Sequence, residues 1–417
     1  MRVMCLVAWC FACVRSVVFA RSRAASGPAR HPRGVLCPSG VRPGLLRAVV
    51  KTPIRSDPFA SPAPDNMPSA NSVDAVVRTS ESDGRYLIAA RDLPQGHAVS
   101  CVSAHAIAFS DEMVQRVCAA CLRSVQDNLP WKCAACERVF YCSSECLHAH
   151  LHHGGLGTMP HKSVCRALRR FEPLARFGRS LESPRLMLEI LARRHTLNPG
   201  EGQKQADADF DALQHRLPPW IAAASAEQKT AWEAEQQAAW EECCALFREA
   251  VAQCAWASLV SDAEWSADGL YAMMSRIDTN AFECCCSAGG GGRDGTDGGG
   301  SDEMISCGTA LYLGSAPYFN HSCAPTCAPE IGMATLTIKT TAEVTRGTPL
   351  TIAYVDSGEW RSVRQRALRD IYGFECQCSR CIEQEGQHRL AELPAACHVI
   401  ALCLAMLVAA VLLNAST

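Results

Sequence analysis

The sequence predicts an α+β fold in which a β framework is split by a cysteine-rich metal module and a helical stretch. Three observations point there. Strand-like residues run from Val73 to Phe109, then return from Thr309 to Phe319 and from Ala334 to Tyr354. Helical patterning dominates the stretch between them, at 166–270. Twelve Cys and His residues fall into sets with the spacing of zinc ligands.

At 417 residues the chain is long enough for one large or two to three ordinary domains. Its net charge of −2 gives no global attraction for nucleic acid, so no sequence-specific nucleic-acid binding is expected. The 26 cysteines fit a disulfide scaffold poorly, because the chain is long and many come in metal-type pairs. A reducing compartment suits zinc thiolates, so nucleus or cytoplasm is expected. The ends hold the alternatives, an organelle-targeted or membrane-anchored protein.

Residues 1–56 contain ten Lys or Arg and no Asp or Glu. That composition fits a transit peptide, a disordered leader or an extension upstream of the true start, and apolar Val3–Phe19 admits a secretory signal. Pro- and Ser-rich 53–72 reads as a linker, closing a leader region at 1–72. A first β part at 73–117 carries Arg85-Tyr86-Leu87-Ile88-Ala89-Ala90, and its strand pattern resumes at Val99 after the turn Asp92–Gly96.

The metal module spans 118–165: Cys118-x2-Cys121, Cys133-x2-Cys136, Cys142-x3-Cys146, then His161-x3-Cys165. Zinc takes four soft or imidazole ligands at tetrahedral angles, so eight ligands close two sites. His148, His150, His152 and His153 lie nearby, which leaves the histidine ligand the least determined of the eight.

In the helical part, Pro184 can open a helix contacting the core through Leu186, Leu188, Ile190 and Leu191. A longer helix is expected over Ser225–Val251, capped by Ser225 with Gln228, with Trp232, Ala239, Cys243, Leu246 and Ala250 on its apolar side. Its Trp residues read as core. The second β part, 271–356, contains a Gly-rich loop at 288–301 that lacks the ending of a phosphate loop. A short helix at Arg361–Ile371 leads to Cys376-x-Cys378-x2-Cys381 within a segment at 357–385. Three cysteines leave one tetrahedral position for a distant fourth. The last segment, 386–417, holds the uncharged apolar run 395–413. This run reads as a membrane anchor, a helix buried on the catalytic domain, or the cut end of a longer chain.

The stretches Gly84-Arg85-Tyr86-Leu87, Ala89-Ala90-Arg91-Asp92, Asn320-His321-Ser322-Cys323 and Leu350-Thr351-Ile352-Ala353-Tyr354 resemble the successive motifs of a SET domain. The module at 118–165 resembles a MYND zinc finger. A SET domain split by a MYND finger and followed by Cys-x-Cys-x2-Cys is similar to the SMYD-type protein-lysine methyltransferases. The resemblance covers about residues 75–385. It implies small β-sheets with a pseudoknot that gathers Asn320, His321 and Tyr354, and an S-adenosylmethionine pocket opposite a lysine channel.

By the same resemblance, Tyr354 and Tyr372 are the catalytic-pocket aromatics, and Arg85, Asn280, Asn320, His321 and Phe374 bind the cofactor. One zinc takes Cys118, Cys121, Cys142 and Cys146, the second Cys133, Cys136, His161 and Cys165, and a third, post-SET zinc Cys323, Cys376, Cys378 and Cys381. The protein partners implied are a substrate lysine, histone or not, and proline-containing peptides on the MYND finger. Each site residue has a plainer reading: Tyr354 as core, Phe374 as a cover over zinc, Arg85 as surface charge, Asn280 as a turn residue.

Three features depart from the family pattern. Tyr86 stands where glycine is usual, and Thr326 stands where the motif ends in Asn. Only 36 residues follow Cys381, too few for the helical C-terminal domain of many relatives. A non-catalytic MYND adaptor on a degenerate SET scaffold therefore stays open beside the enzyme.

Overall fold

In the computed structural model, residues 73–81, 83–177, 180–195, 200–215, 231–287 and 304–391 are described. The leader, the Ser225–Gln228 cap, the Gly-rich loop at 288–301 and the apolar run at 395–413 lie outside them. No helix among the described residues is long and apolar enough to cross a membrane.

The strands form small sheets. Strands β1 (Ala75–Ser80) and β2 (Gly84–Ala89) make an antiparallel hairpin, joined by β11 (Pro349–Ile352) and β8 (Asn320–His321) in the order β1-β2-β11-β8. A five-stranded sheet runs β6 (Phe282–Ser287), β7 (Met304–Tyr312), β3 (Ala98–Phe109), β10 (Thr335–Thr340), β9 (Cys327–Ile331). A two-stranded ribbon, β4 (Trp131–Lys132) with β5 (Phe140–Tyr141), lies inside the cysteine-rich insert.

Successive side chains of a strand point to opposite faces, and here both faces are covered. Ala106 and Ala108 of β3, with Leu311 of β7 and Leu313 just beyond it, pack into one cluster with the helices. Ile107 and Phe109, with Ala310 and Tyr312, pack into the other, shared with the four-stranded sheet and the insert. That double burial explains why the end of β3 reads as a continuous apolar run rather than an alternating one.

The helix Glu182–Arg194 carries Pro184 in its first turn and lies on β3, with Leu186, Leu188, Ile190 and Leu191 fully buried. Arg185 ties it to the strand end, pairing with Asp111 at 2.6 Å and donating to Phe109 O at 3.1 Å.

The long helix is described over Ala231–Val251, and its buried face differs from the expected one. Gln236, Trp240, Cys243, Phe247 and Ala250 are buried, whereas Ala239 and Leu246 are only partly so. The face is rotated by about one residue, because Trp240 and Phe247 carry far more apolar area than Ala239 and Leu246. Trp240 is core as expected, its indole N–H donating to Ala267 O at 2.8 Å. The helix Ala267–Asn280 runs through the boundary expected at 270/271, so the helical layer continues to the start of β6.

Candidate functional site

The cysteine-rich insert brings its ligands together by local turns and helix starts. Cys118, Cys121, Cys142 and Cys146 form one group and Cys133, Cys136, His161 and Cys165 another, each with ligand atoms within 4.8 Å of one another. Ser143 caps the helix Ser144–His153 by accepting from Cys146 N at 3.2 Å, which orients Cys146 from the first turn. His161 opens the helix His161–Leu168, so His161 and Cys165 share one helix face four residues apart. Its Nε2 lies 3.4 Å from Cys136 Sγ.

The structure places His161, and none of the nearby histidines, among the ligands. His148, His152 and His153 are exposed. His150 is buried with both nitrogens occupied: Tyr141 Oη lies 3.0 Å from Nδ1, and Nε2 lies 3.0 Å from Thr158 Oγ1. Burial lowers the His161 pKa to about 4, which keeps its ring neutral as a metal ligand must be. The thiols show the opposite conflict. Cys118 is held low by a hydrogen bond with Cys121, and that bond together with burial pushes Cys121 up. Four crowded thiols cannot all ionise without a cation among them, so the donor set fits a divalent metal.

A third group, Cys323, Cys376, Cys378 and Cys381, joins one residue of the second β part to three of the segment that follows it. Gln365 binds both sides of Cys376: its Nε2 donates to Cys376 O at 2.6 Å, and Cys376 N donates to its Oε1 at 2.8 Å. Arg380 donates to Cys323 O at 3.1 Å. Sequence reasoning passed over Gln365 and buried Arg364, since no spacing rule marks them.

The predicted pocket residues gather beside this group. β8 and β11 pair in parallel, with Asn320 opposite Thr351 and His321 opposite Ile352. That register sets His321 against Tyr354, whose backbone N–H donates to His321 Nδ1 at 2.9 Å and whose hydroxyl donates to Phe319 O at 2.8 Å. Tyr354 and Tyr372 stand 4.8 Å apart between ring centroids, and Phe374 lies 6.1 Å from His321 and 6.5 Å from Tyr372. Gly373, at φ 80°, makes the turn that carries the chain from Tyr372 to Phe374. Tyr354 and Tyr372 pack against the core around Cys323, Cys376 and Cys381.

The polar candidates converge on a second side. Asn320 Nδ2 donates to Asp83 O at 2.8 Å. Arg85 Nη1 donates to Tyr318 Oη at 3.4 Å, with its guanidinium 5.1 Å from that ring, and Nη2 donates to Ala212 O. Asn280 Nδ2 donates to Gln214 O at 3.0 Å and Arg276 O at 2.8 Å. Asn320, Arg85 and Asn280 thus bond to the Asp83, Ala212 and Gln214 carbonyls, while the rings of Tyr354 and Phe374 lie beside His321. This chemistry suits a ligand with a polar end and a flat heteroaromatic end.

Two departures from the family pattern have structural answers. Strand alternation sets Tyr86 on the face of β2 opposite Arg85 and Leu87, so it does not crowd the side where Arg85 meets Tyr318. Thr326 binds β11, its Oγ1 donating to Pro349 O at 3.0 Å and accepting from Thr351 N at 2.9 Å. An apolar crevice lined by Leu174, Pro184, Met187, Trp240, Phe247 and Leu270 belongs to the helical layer, and no predicted site residue lines it.

Comparison with known proteins matches residues 84–355 to the family model of the SET domain. The histone-lysine N-methyltransferase SMYD3 of Mus musculus is 39% identical over 83 residues, 20% of this chain and 19% of that protein. A SET and MYND domain-containing protein of Dictyostelium discoideum is 23% identical over 324 residues, 73% of this chain and 59% of the relative. The histone-lysine N-methyltransferase ASHR1 of Arabidopsis thaliana is 22% identical over 317 residues, 74% of this chain and 55% of the relative. The chain thus spans less than two thirds of the length of each of these relatives.

Proposed function

The chain belongs to the SET-domain family, in its SET-and-MYND type, and from that premise we propose that it is a protein-lysine N-methyltransferase using S-adenosylmethionine. One observation carries the reading: the parallel β8–β11 pair brings Asn320 and His321 beside Tyr354, with the rings of Tyr372 and Phe374 tilted next to them.

When bound, S-adenosylmethionine supplies a methyl group made electrophilic by its sulfonium. The residues of this chain supply position, which is what an in-line displacement chiefly needs. Asn320, Arg85 and Asn280 are the groups that would hold the polar end of the cofactor, and Phe374 the adenine. Tyr354 and Tyr372 line the approach of the substrate amine. Because the Tyr354 hydroxyl donates its proton to Phe319 O, it meets an incoming amine as an acceptor and adds no charge. Loss of water from the amine as it enters would favour its neutral form, so the lysine arrives with the lone pair that attacks. The insert at 118–165 serves as a two-zinc MYND finger offering a surface to proline-containing peptides. The third zinc fixes the Tyr372–Cys381 segment beside the pocket.

The test pairs calorimetry of S-adenosylmethionine with labelled methyl transfer to protein extract. Binding together with lysine-linked label is the expected result. Wild-type protein that binds no cofactor would instead be a MYND adaptor.

A further inference from the structure

We propose that His321 is a positioning residue whose ring couples the Cys323 metal cluster to Tyr354; the catalytic half of this inference rests on the methyltransferase reading above. Tyr354 N–H donates to Nδ1 at 2.9 Å, and Nε2 lies 3.3 Å from Cys323 Sγ. A backbone N–H can only donate, so Nδ1 must present its lone pair. The neutral ring then carries its proton on Nε2. That nitrogen donates to the Cys323 sulfur and is not available as a fifth metal ligand. One imidazole thus reads a metal-bound sulfur at one edge and holds the pocket tyrosine at the other.

Tyr354 depends on this bond because of where it sits. The β8–β11 ladder ends at Ile352, two residues earlier, so the Tyr354 amide has left the sheet. Phe319 O, which accepts from the Tyr354 hydroxyl, and His321 Nδ1, which accepts from its amide, both lie in the stretch leading into the cluster. The backbone of position 321 is held independently: it pairs with Ile352, and Ser322 N donates to Ile352 O at 3.0 Å. Tyr354 and Phe374 flank the ring at 5.4 and 6.1 Å. Removing the ring therefore cuts the coupling without removing the strand. Partners that orient metal ligands tune affinity from outside the ligand set, and here the same group also sets the pocket.

Three substitutions in the full chain separate the two bonds. His321→Asn puts an acceptor near the Nδ1 position but falls short of Cys323. His321→Gln puts a donor near the Nε2 position but offers Tyr354 no acceptor. His321→Ala has neither. The readouts are zinc release to a chromophoric chelator, the thiolate charge-transfer band of cobalt-substituted protein, the cofactor Kd, and kcat against KM for methyl transfer.

The Asn variant should release the post-SET metal about tenfold faster and lose less in kcat than the Gln variant. The Gln variant should keep the metal and lose at least about tenfold in kcat, with KM and cofactor Kd little changed. The Ala variant should lose both. Nitrogen-15 histidine NMR of wild type should find the His321 proton on Nε2. A proton on Nδ1, or a metal-ligated Nε2, overturns the proposal whatever the activity. So does an Ala variant that changes only the cofactor Kd. If wild type binds no S-adenosylmethionine, the methyltransferase reading fails, while the NMR and cobalt results still decide the coupling.

Discussion

Arg364 Nε lies 3.1 Å from Cys323 Sγ, and its Nη2 lies 3.6 Å from Cys381 Sγ, within the core beneath the pocket. The side chain is among the most buried in the protein, held also by Gln384 Oε1 at 2.7 Å and by Glu359 O. Four thiolates around one divalent ion would carry a net double negative charge, and the buried Arg364 guanidinium would offset part of it.

Arg364→Met keeps most of the side-chain volume and removes that charge. The post-SET cluster should then lose about tenfold or more in zinc affinity, while the two clusters of the insert hold theirs. Chelator competition on the purified variant should show a new fast-releasing zinc beside two slow ones. Three unchanged zincs would show that Arg364 is structural packing only.

Metal analysis of purified protein should find close to three zinc ions per chain, matching the three ligand groups. Chelation should unfold residues 118–165, since their two-residue strands and short helices have little packing of their own. Loss of amide protection across this segment under chelator is the measurement. Active protein with one zinc or none would remove the assignment.

On the methyltransferase proposal the Tyr354 hydroxyl aligns the amine, so Tyr354→Phe should keep cofactor binding and lose at least about a hundredfold in methyl transfer. Asn320→Ala should first weaken cofactor binding, leaving polar groups of the cofactor unpaired. Calorimetry and labelled transfer on the same preparations separate the two. Normal methylation by Tyr354→Phe would show that the hydroxyl has no role in the transfer.

His105 provides a pH test away from the metal clusters. Its Nε2 is buried without a partner among the described residues, and burial together with Arg193 and Arg194 lowers its pKa from 6.5 to about 3. The folded state therefore favours the neutral ring. This contribution is fully present above the unfolded value of 6.5 and is lost as pH falls from there towards 3. Between about pH 7 and about pH 5, wild type should lose about 1–2 kcal/mol more than His105→Gln, read from urea midpoints. Equal losses would mean that the His105 environment opens in acid.

Read by itself, the sequence determined what is local. The Cys-x2-Cys turns, the paired strands on either side of the insert and the Asn-His-Ser-Cys motif are legible because each lies within a few residues of chain. There, spacing and period constrain geometry. Only the tertiary structure decided the rest. His161 was distinguished from His150 by its place beside Cys136 and by the bonds Tyr141 and Thr158 make to the latter. The buried face of Ala231–Val251 followed Trp240 and Phe247, whose area outweighs a formal stripe. Tyr86 proved to lie across β2 from Arg85. Arg364, Gln365 and the two contacts of the His321 ring, to Tyr354 N and Cys323 Sγ, were not legible at all. They depend on one parallel pairing, Asn320–His321 against Thr351–Ile352, that joins segments about thirty residues apart. A strand pattern specifies that such residues will pair, but the partner and register are chosen by packing across the whole core.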